Sequence, residues 1–116
     1  MGVFKIEGGV ALKGEITPQG AKNEALQILC AVLLTPEKVT INNIPDIIDI
    51  NKLITLLGNL GVKIQKVGPG SYAFKADDVN VNYLETEAFK KEGGSLRGSI
   101  MIVGPLLARF GKGYIP

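Results

Sequence analysis

The 116-residue sequence has no histidine, no tryptophan and a single cysteine. Each absence closes off a class of chemistry. Without His, the commonest general base and metal ligand near neutral pH is missing, and one thiol cannot assemble a zinc site. That thiol, Cys30, sits in an apolar run between Leu29 and Ala31 with no cation near it by spacing, which predicts a buried structural cysteine. Long hydrophobic runs are also lacking. The two longest, 25–34 and 100–108, fall short of the roughly 20 residues that span a bilayer, so no membrane segment is predicted. The first residues, Met1-Gly2-Val3-Phe4-Lys5-Ile6-Glu7, alternate apolar and charged side chains and hold no apolar signal core, so the sequence predicts a cytoplasmic protein. Charge of one sign is scarce too, with a net +2. The one adjacent basic pair, Lys90-Lys91, is flanked by Glu87 and Glu92, a solvated face with nothing to suggest a nucleic-acid partner.

What the chain does have is ordinary globular material. Apolar residues make up 46% and charged residues 21%, enough for one core in one domain or part of one. Residues 3–7 and 11–16 alternate as two strands around Gly8-Gly9, which predicts a hairpin. A helix is predicted over 22–34, with Leu26, Leu29 and Leu33 on one stripe, Ala25, Ile28 and Val32 beside it, and Pro36 as its stop. Residues 38–42 read as a half-buried strand. A second helix over 47–60, capped by Asp46, turns Ile50, Leu53, Ile54 and Leu57 inward and closes at Gly61. Strands over 62–67 and 72–75 flank Gly68-Pro69-Gly70. A short extended piece at 79–81, a short exposed helix over 85–91 and a third apolar helix over 96–110, kinked or broken at Pro105, complete the reading.

The candidate site is Gly20-Ala21-Lys22-Asn23. A helix starting here aims its free N–H groups, the positive end of its dipole and the Lys22 ammonium at one spot, which attracts an anion. The local sequence leaves open the plainer reading, with Lys22 a solvated lysine and Asn23 only a helix cap. Shifting the chain by 75 positions lays Lys22 on Arg97, Pro36 on Gly111 and Val39-Thr40 on Tyr114-Ile115. This internal repeat gives each long helix one cation near its start and predicts that both cations lie at one edge of the domain. The chain stops just as another strand begins, so it looks truncated.

With those residues in view, the chain resembles the N-terminal part of the enolpyruvyl transferase family, in the branch that acts on UDP-N-acetylglucosamine. The resemblance spans essentially the whole chain. It is carried by Phe4-Lys5-Ile6-Glu7-Gly8-Gly9, by Leu12-Lys13-Gly14-Glu15-Ile16 leading to Gly20-Ala21-Lys22-Asn23, by Asn43-Ile44-Pro45 with Asp49, and by Leu96-Arg97-Gly98-Ser99-Ile100 leading to Gly104-Pro105-Leu106-Leu107-Ala108-Arg109-Phe110-Gly111. It implies an α/β fold, part of an inside-out α/β barrel of repeated βαβαββ units. Residues 1–20 would pack with the other domain of a two-domain enzyme, and residues 21–116 would form part of the first barrel.

The implied activity moves the enolpyruvyl group of phosphoenolpyruvate to a UDP-N-acetylglucosamine hydroxyl, without a cofactor. By the same resemblance Lys22 and Asn23 serve the phosphoenolpyruvate site and Arg97 contacts the UDP-sugar. The family's proton donor and other catalytic groups fall after Pro116, and Cys30 does not match the donor's position. Gln27 departs from the family's usual Pro and Gly98 from its usual Ala. The sister enzyme of the shikimate pathway, against which Asn23 argues because that branch prefers Ser there, and a non-catalytic α/β binding module are the competing readings.

Overall fold

The computed structural model describes residues 2–115. Four helices and one small sheet follow the order α1 (Lys22–Ala31), β1 (Lys38–Ile41), α2 (Ile48–Asn59), β2 (Lys63–Gly68), β3 (Ser71–Lys75), α3 (Glu87–Gly94) and α4 (Val103–Phe110). Segments of 3-10 helix cover Val32–Leu34, Val81–Glu85 and Arg97–Ile102. This is the α/β class with one strand, helix, strand, strand unit, as its patterning predicts.

The sheet order is β1-β3-β2, with both neighbours antiparallel to the central β3. The register pairs Val39 and Ile64 with Phe74, and Ile41 with Tyr72. Because side chains alternate across a strand, that register collects these apolar residues on one face. The helices cover it. Phe74, Leu29, Leu33, Ile50, Leu53, Leu57, Leu60, Phe89, Ile102 and Leu106 are buried in one continuous core. Ile54 only borders that core, and Leu56 takes a fully buried place on α2.

Several expectations need correction. Residues 2–20 form no strand, and Val3, Phe4, Ile6, Leu12 and Ile16 are almost fully exposed. A two-stranded hairpin is marginal without a surface to bury its apolar face, and these residues have none here. α1 and the 3-10 turn that follows it are less enclosed than their apolar sequence suggests, since Ile28 and Leu34 remain exposed. Residues 79–81 and 111–115 also lack strand structure, so the repeat does not extend to a second β1.

The third apolar helix is divided. Arg97–Ile102 is 3-10 and only Val103–Phe110 is α. Pro105 lies at the third residue of α4, within the first turn, where an N–H has no intrahelical acceptor and none is missed. The break therefore falls just before the proline's own turn. Asp46 does not cap α2. The capping position belongs to Ile47, which has no side-chain bond to offer, and Asp46 instead accepts a hydrogen bond from the Asn51 side chain at 2.8 Å. The predicted exposed helix over 85–91 is α3 itself, moved two residues along because Thr86 caps it by accepting from the Phe89 N–H. Phe89 is buried, so this helix is anchored rather than merely solvated.

Candidate anion site at the converging helix starts

Lys22 opens α1, one residue after an N-cap, Ala21, that has no side-chain oxygen. The first backbone N–H of α1 to find a partner is that of Ala25, which donates to the Ala21 carbonyl at 3.0 Å. The N–H groups before it, on Lys22, Asn23 and Glu24, have no intrahelical acceptor and stay available. α2 starts in the same way, on Ile47, and so does the 3-10 segment at Arg97, on Leu96. Two other starts do carry a side-chain cap. α3 has Thr86 and the 3-10 segment at Val81 has Asn80, whose side chain accepts from the Asn82 N–H. The 3-10 turn at Val32 and α4 also lack a side-chain cap, but each continues a preceding helical segment, whereas α1, α2 and the Arg97 segment pack on one another.

Two contacts define that convergence. Lys22 Nζ meets Asp49 Oδ2 at 2.6 Å, bridging the first turn of α1 to the first turn of α2. Gly98, next to Arg97, lies against Leu26, one helical turn beyond Lys22. A methyl group at Gly98 would sit 3.1 Å from both Leu26 methyl carbons. Gly98 is thus a close-approach residue in a 3-10 segment, not a weak point in an α-helix, and it lets the Arg97 segment sit directly on α1. Arg97 and Asn23 are both exposed. The Gly98 contact lays the Arg97 segment against α1, and Asp49, which the sequence offers only within the family resemblance, becomes the ion-pair partner of Lys22.

The placement of α1 depends on a loop. Gly20 packs its Cα on the Asn43 carbonyl and near the Pro45 ring. On the loop's other side, the Ile44 N–H donates to the Gly70 carbonyl at 2.8 Å. Asn43 holds the left-handed conformation, φ 57°, which Asn tolerates better than most residues. The segment Asn43-Ile44-Pro45 is clamped between Gly20 and Gly70 and fixes where α1 begins relative to α2.

The electrostatics are those of a pair with one free side. Lys22 and then Lys52 hold the Asp49 carboxyl below the usual carboxylate range. The Lys22 and Asp49 side chains keep 49% and 40% of their exposure, so solvent and small anions reach them. An ammonium has three donors, and Asp49 occupies one. A cleft of about 120 Å³ lies beside the α1 start, lined by Gly20, Glu24 and Asn43 but by neither Lys22 nor Arg97. It is smaller than the roughly 300 Å³ of a typical ligand pocket. Among the described residues no group of three or more Asp, Glu and Cys could hold a metal ion. No described helix is long and apolar enough to cross a membrane.

Comparison with known proteins gives this geometry a context. The model of the EPSP synthase (3-phosphoshikimate 1-carboxyvinyltransferase) family matches residues 6–115. The chain belongs to that family. Among curated relatives, a UDP-N-acetylglucosamine 1-carboxyvinyltransferase of Bacteroides fragilis is 59% identical over 99% of this chain and 26% of the relative. The protein of the same name from Porphyromonas gingivalis is 52% identical over 100% of the chain and 27% of the relative. One from Pectobacterium atrosepticum is 43% identical over 99% of the chain and 26% of the relative. The chain thus spans about a quarter of the length of the curated relatives it matches.

Proposed function

We propose that this chain is the N-terminal portion of an enzyme that transfers the enolpyruvyl group of phosphoenolpyruvate to the 3-hydroxyl of UDP-N-acetylglucosamine, the first committed step of peptidoglycan synthesis in the cytoplasm. The observation that carries the reading is the 59% identity, over almost the whole chain, to a relative named for carboxyvinyl transfer to UDP-N-acetylglucosamine. The relatives' shared name favours this acceptor over the shikimate-type acceptor in the family's description.

In the proposed reaction the sugar hydroxyl adds to C2 of phosphoenolpyruvate while C3 takes a proton. Loss of a C3 proton with expulsion of phosphate then restores the double bond. Both substrates are polyanions, so fixed cations and free N–H groups assist binding and steady the phosphate as it leaves. Lys22 and Asn23 are assigned to the phosphoenolpyruvate side and Arg97 to the UDP-sugar. Their position at uncapped, converging element starts supports the assignment. The acid and base are assigned to residues after Pro116, and the apolar arm 2–20 to contact with a second domain, which accounts for its exposed Val3, Phe4 and Ile6.

The test is phosphate release by protein of the relatives' full length that carries these residues, supplied with phosphoenolpyruvate and UDP-N-acetylglucosamine together and singly. Release that requires both substrates supports the reading. Release with shikimate 3-phosphate in place of the UDP-sugar would move the protein to the sister branch.

A further inference from the structure

We propose that Asp49 is a positioning residue for Lys22: it holds the ammonium across the gap between the α1 and α2 starts, so that the cation already stands in place when the phosphate of the enolpyruvyl donor arrives. This rests on the functional reading above and adds to it a residue whose work is done through another.

A lysine side chain at a helix start is free to sweep through solvent, and binding an anion then costs the ordering of its four-carbon stem. Here the ammonium already has a partner that fixes its direction, since Lys22 Nζ is 2.6 Å from Asp49 Oδ2. The pair joins two different helices, so its geometry is set by their packing and not by one helix's own periodicity. The anchor is itself well placed. Asp49 lies in the first turn of α2, where the helix dipole favours a carboxylate, and Lys22 keeps the carboxyl ionised below its ordinary range. The position of α2 relative to α1 is in turn fixed by the loop clamped between Gly20 and Gly70. One of three ammonium donors is used and the side chain remains half exposed, so two donors are left for an incoming anion. Preorganisation of this kind raises affinity by lowering the ordering cost of binding.

The test compares Asp49→Ala, Asp49→Asn and Asp49→Glu, alone and combined with Lys22→Ala, in the full-length protein. Phosphate release is followed at saturating UDP-N-acetylglucosamine, by single turnover so that slow variants remain readable, with thermal unfolding recorded for each. Asp49→Ala and Asp49→Asn are expected to raise the KM for phosphoenolpyruvate about tenfold while kcat stays within about twofold. Asp49→Glu should recover most of the loss. In the Lys22→Ala background Asp49→Ala should cost nothing further, which a merely structural role for Asp49 would not produce. The inference is overturned if the KM of Asp49→Ala stays within twofold of the wild type, or if Asp49→Ala costs as much without Lys22 as with it. If the wild type releases no phosphate from the two substrates, the functional reading fails and this inference fails with it.

Discussion

Gly20 lies with its Cα against the carbonyl oxygen of Asn43, so closely that a side-chain carbon at position 20 would overlap that oxygen and crowd the Pro45 ring at 3.2 Å. Neither neighbour is the free end of a flexible chain. The contact joins the residue that leads into α1 to the loop that leads into α2, and both candidate charges, Lys22 and Asp49, sit just beyond it.

Gly20→Ala is therefore expected to destabilise the protein by about 1–3 kcal/mol, the usual cost of inserting a carbon where no space exists. Urea unfolding would show the lower midpoint. Position 43 gives a paired expectation of opposite kind. Asn43→Ala puts a residue that tolerates the left-handed region less well than Asn at φ 57° and should cost about 1 kcal/mol, whereas Asn43→Gly should be nearly neutral. A loss of equal size for both would show that the Asn side chain, and not its backbone conformation, is what position 43 requires.

How much of this was legible beforehand follows from the range of each signal. The apolar periodicity of residues 22–34 and 47–60 and the alternation at 38–41 are local, and they gave α1, α2 and β1 within a residue or so at their starts. The hairpin at 3–16 reads equally well as a pattern, but a strand pattern has no structure until a partner buries one face, and the described residues offer none. Lys22 and Arg97 are candidates that charge and spacing single out. Asp49 stands out only in the family resemblance, because a contact between two helix starts leaves no local trace. The left-handed Asn43 and the clamp around it were also invisible, since each depends on where a distant glycine comes to rest.

Arg109 closes the opposite end of α1. Its Nη1 donates to the Leu33 carbonyl at 3.0 Å, in the 3-10 turn where carbonyls lack helical partners, and its guanidinium lies 4.7 Å from the Phe110 ring centre. Arg109→Ala should cost about 1–2 kcal/mol through the lost charge-assisted bond, read as a fall in the urea midpoint. Arg109→Lys should restore only part of it, because a point charge replaces a planar donor that also stacks.

Alkaline pH should destabilise the fold through a buried thiol. Burial pushes Cys30 up to about 12 from an ordinary value of 9.0. The neutral thiol is thus favoured in the folded state, so its contribution is fully present below about pH 9 and is lost as pH rises toward 12. Tyr83, raised mainly by its hydrogen bond to Glu92, and Lys112, raised by its bond to Glu85, act in the same direction. Stability measured from pH 8 to 11 should decline, and Cys30→Ala should flatten part of the decline whatever it does to stability at pH 7. At pH 8 a thiol reagent should label Cys30 only as fast as the protein unfolds.

Lys22→Ala separates binding from folding. Its pair with Asp49 is half exposed, and exposed ion pairs contribute little to stability. Without Lys22, the Asp49 carboxylate still faces solvent at the favourable end of α2, so the thermal midpoint should hardly move. The proposed role in anion binding has no such substitute, because the free N–H groups at the α1 start carry only partial charge. Loss of one charge-assisted contact to the phosphate should lower kcat/KM for phosphoenolpyruvate by about 10- to 100-fold, and rising salt should narrow the gap between variant and wild type by screening the charge that remains. Wild-type kcat/KM in Lys22→Ala, with an unchanged midpoint, would return Lys22 to the solvated surface and leave the helix starts without an assigned ligand.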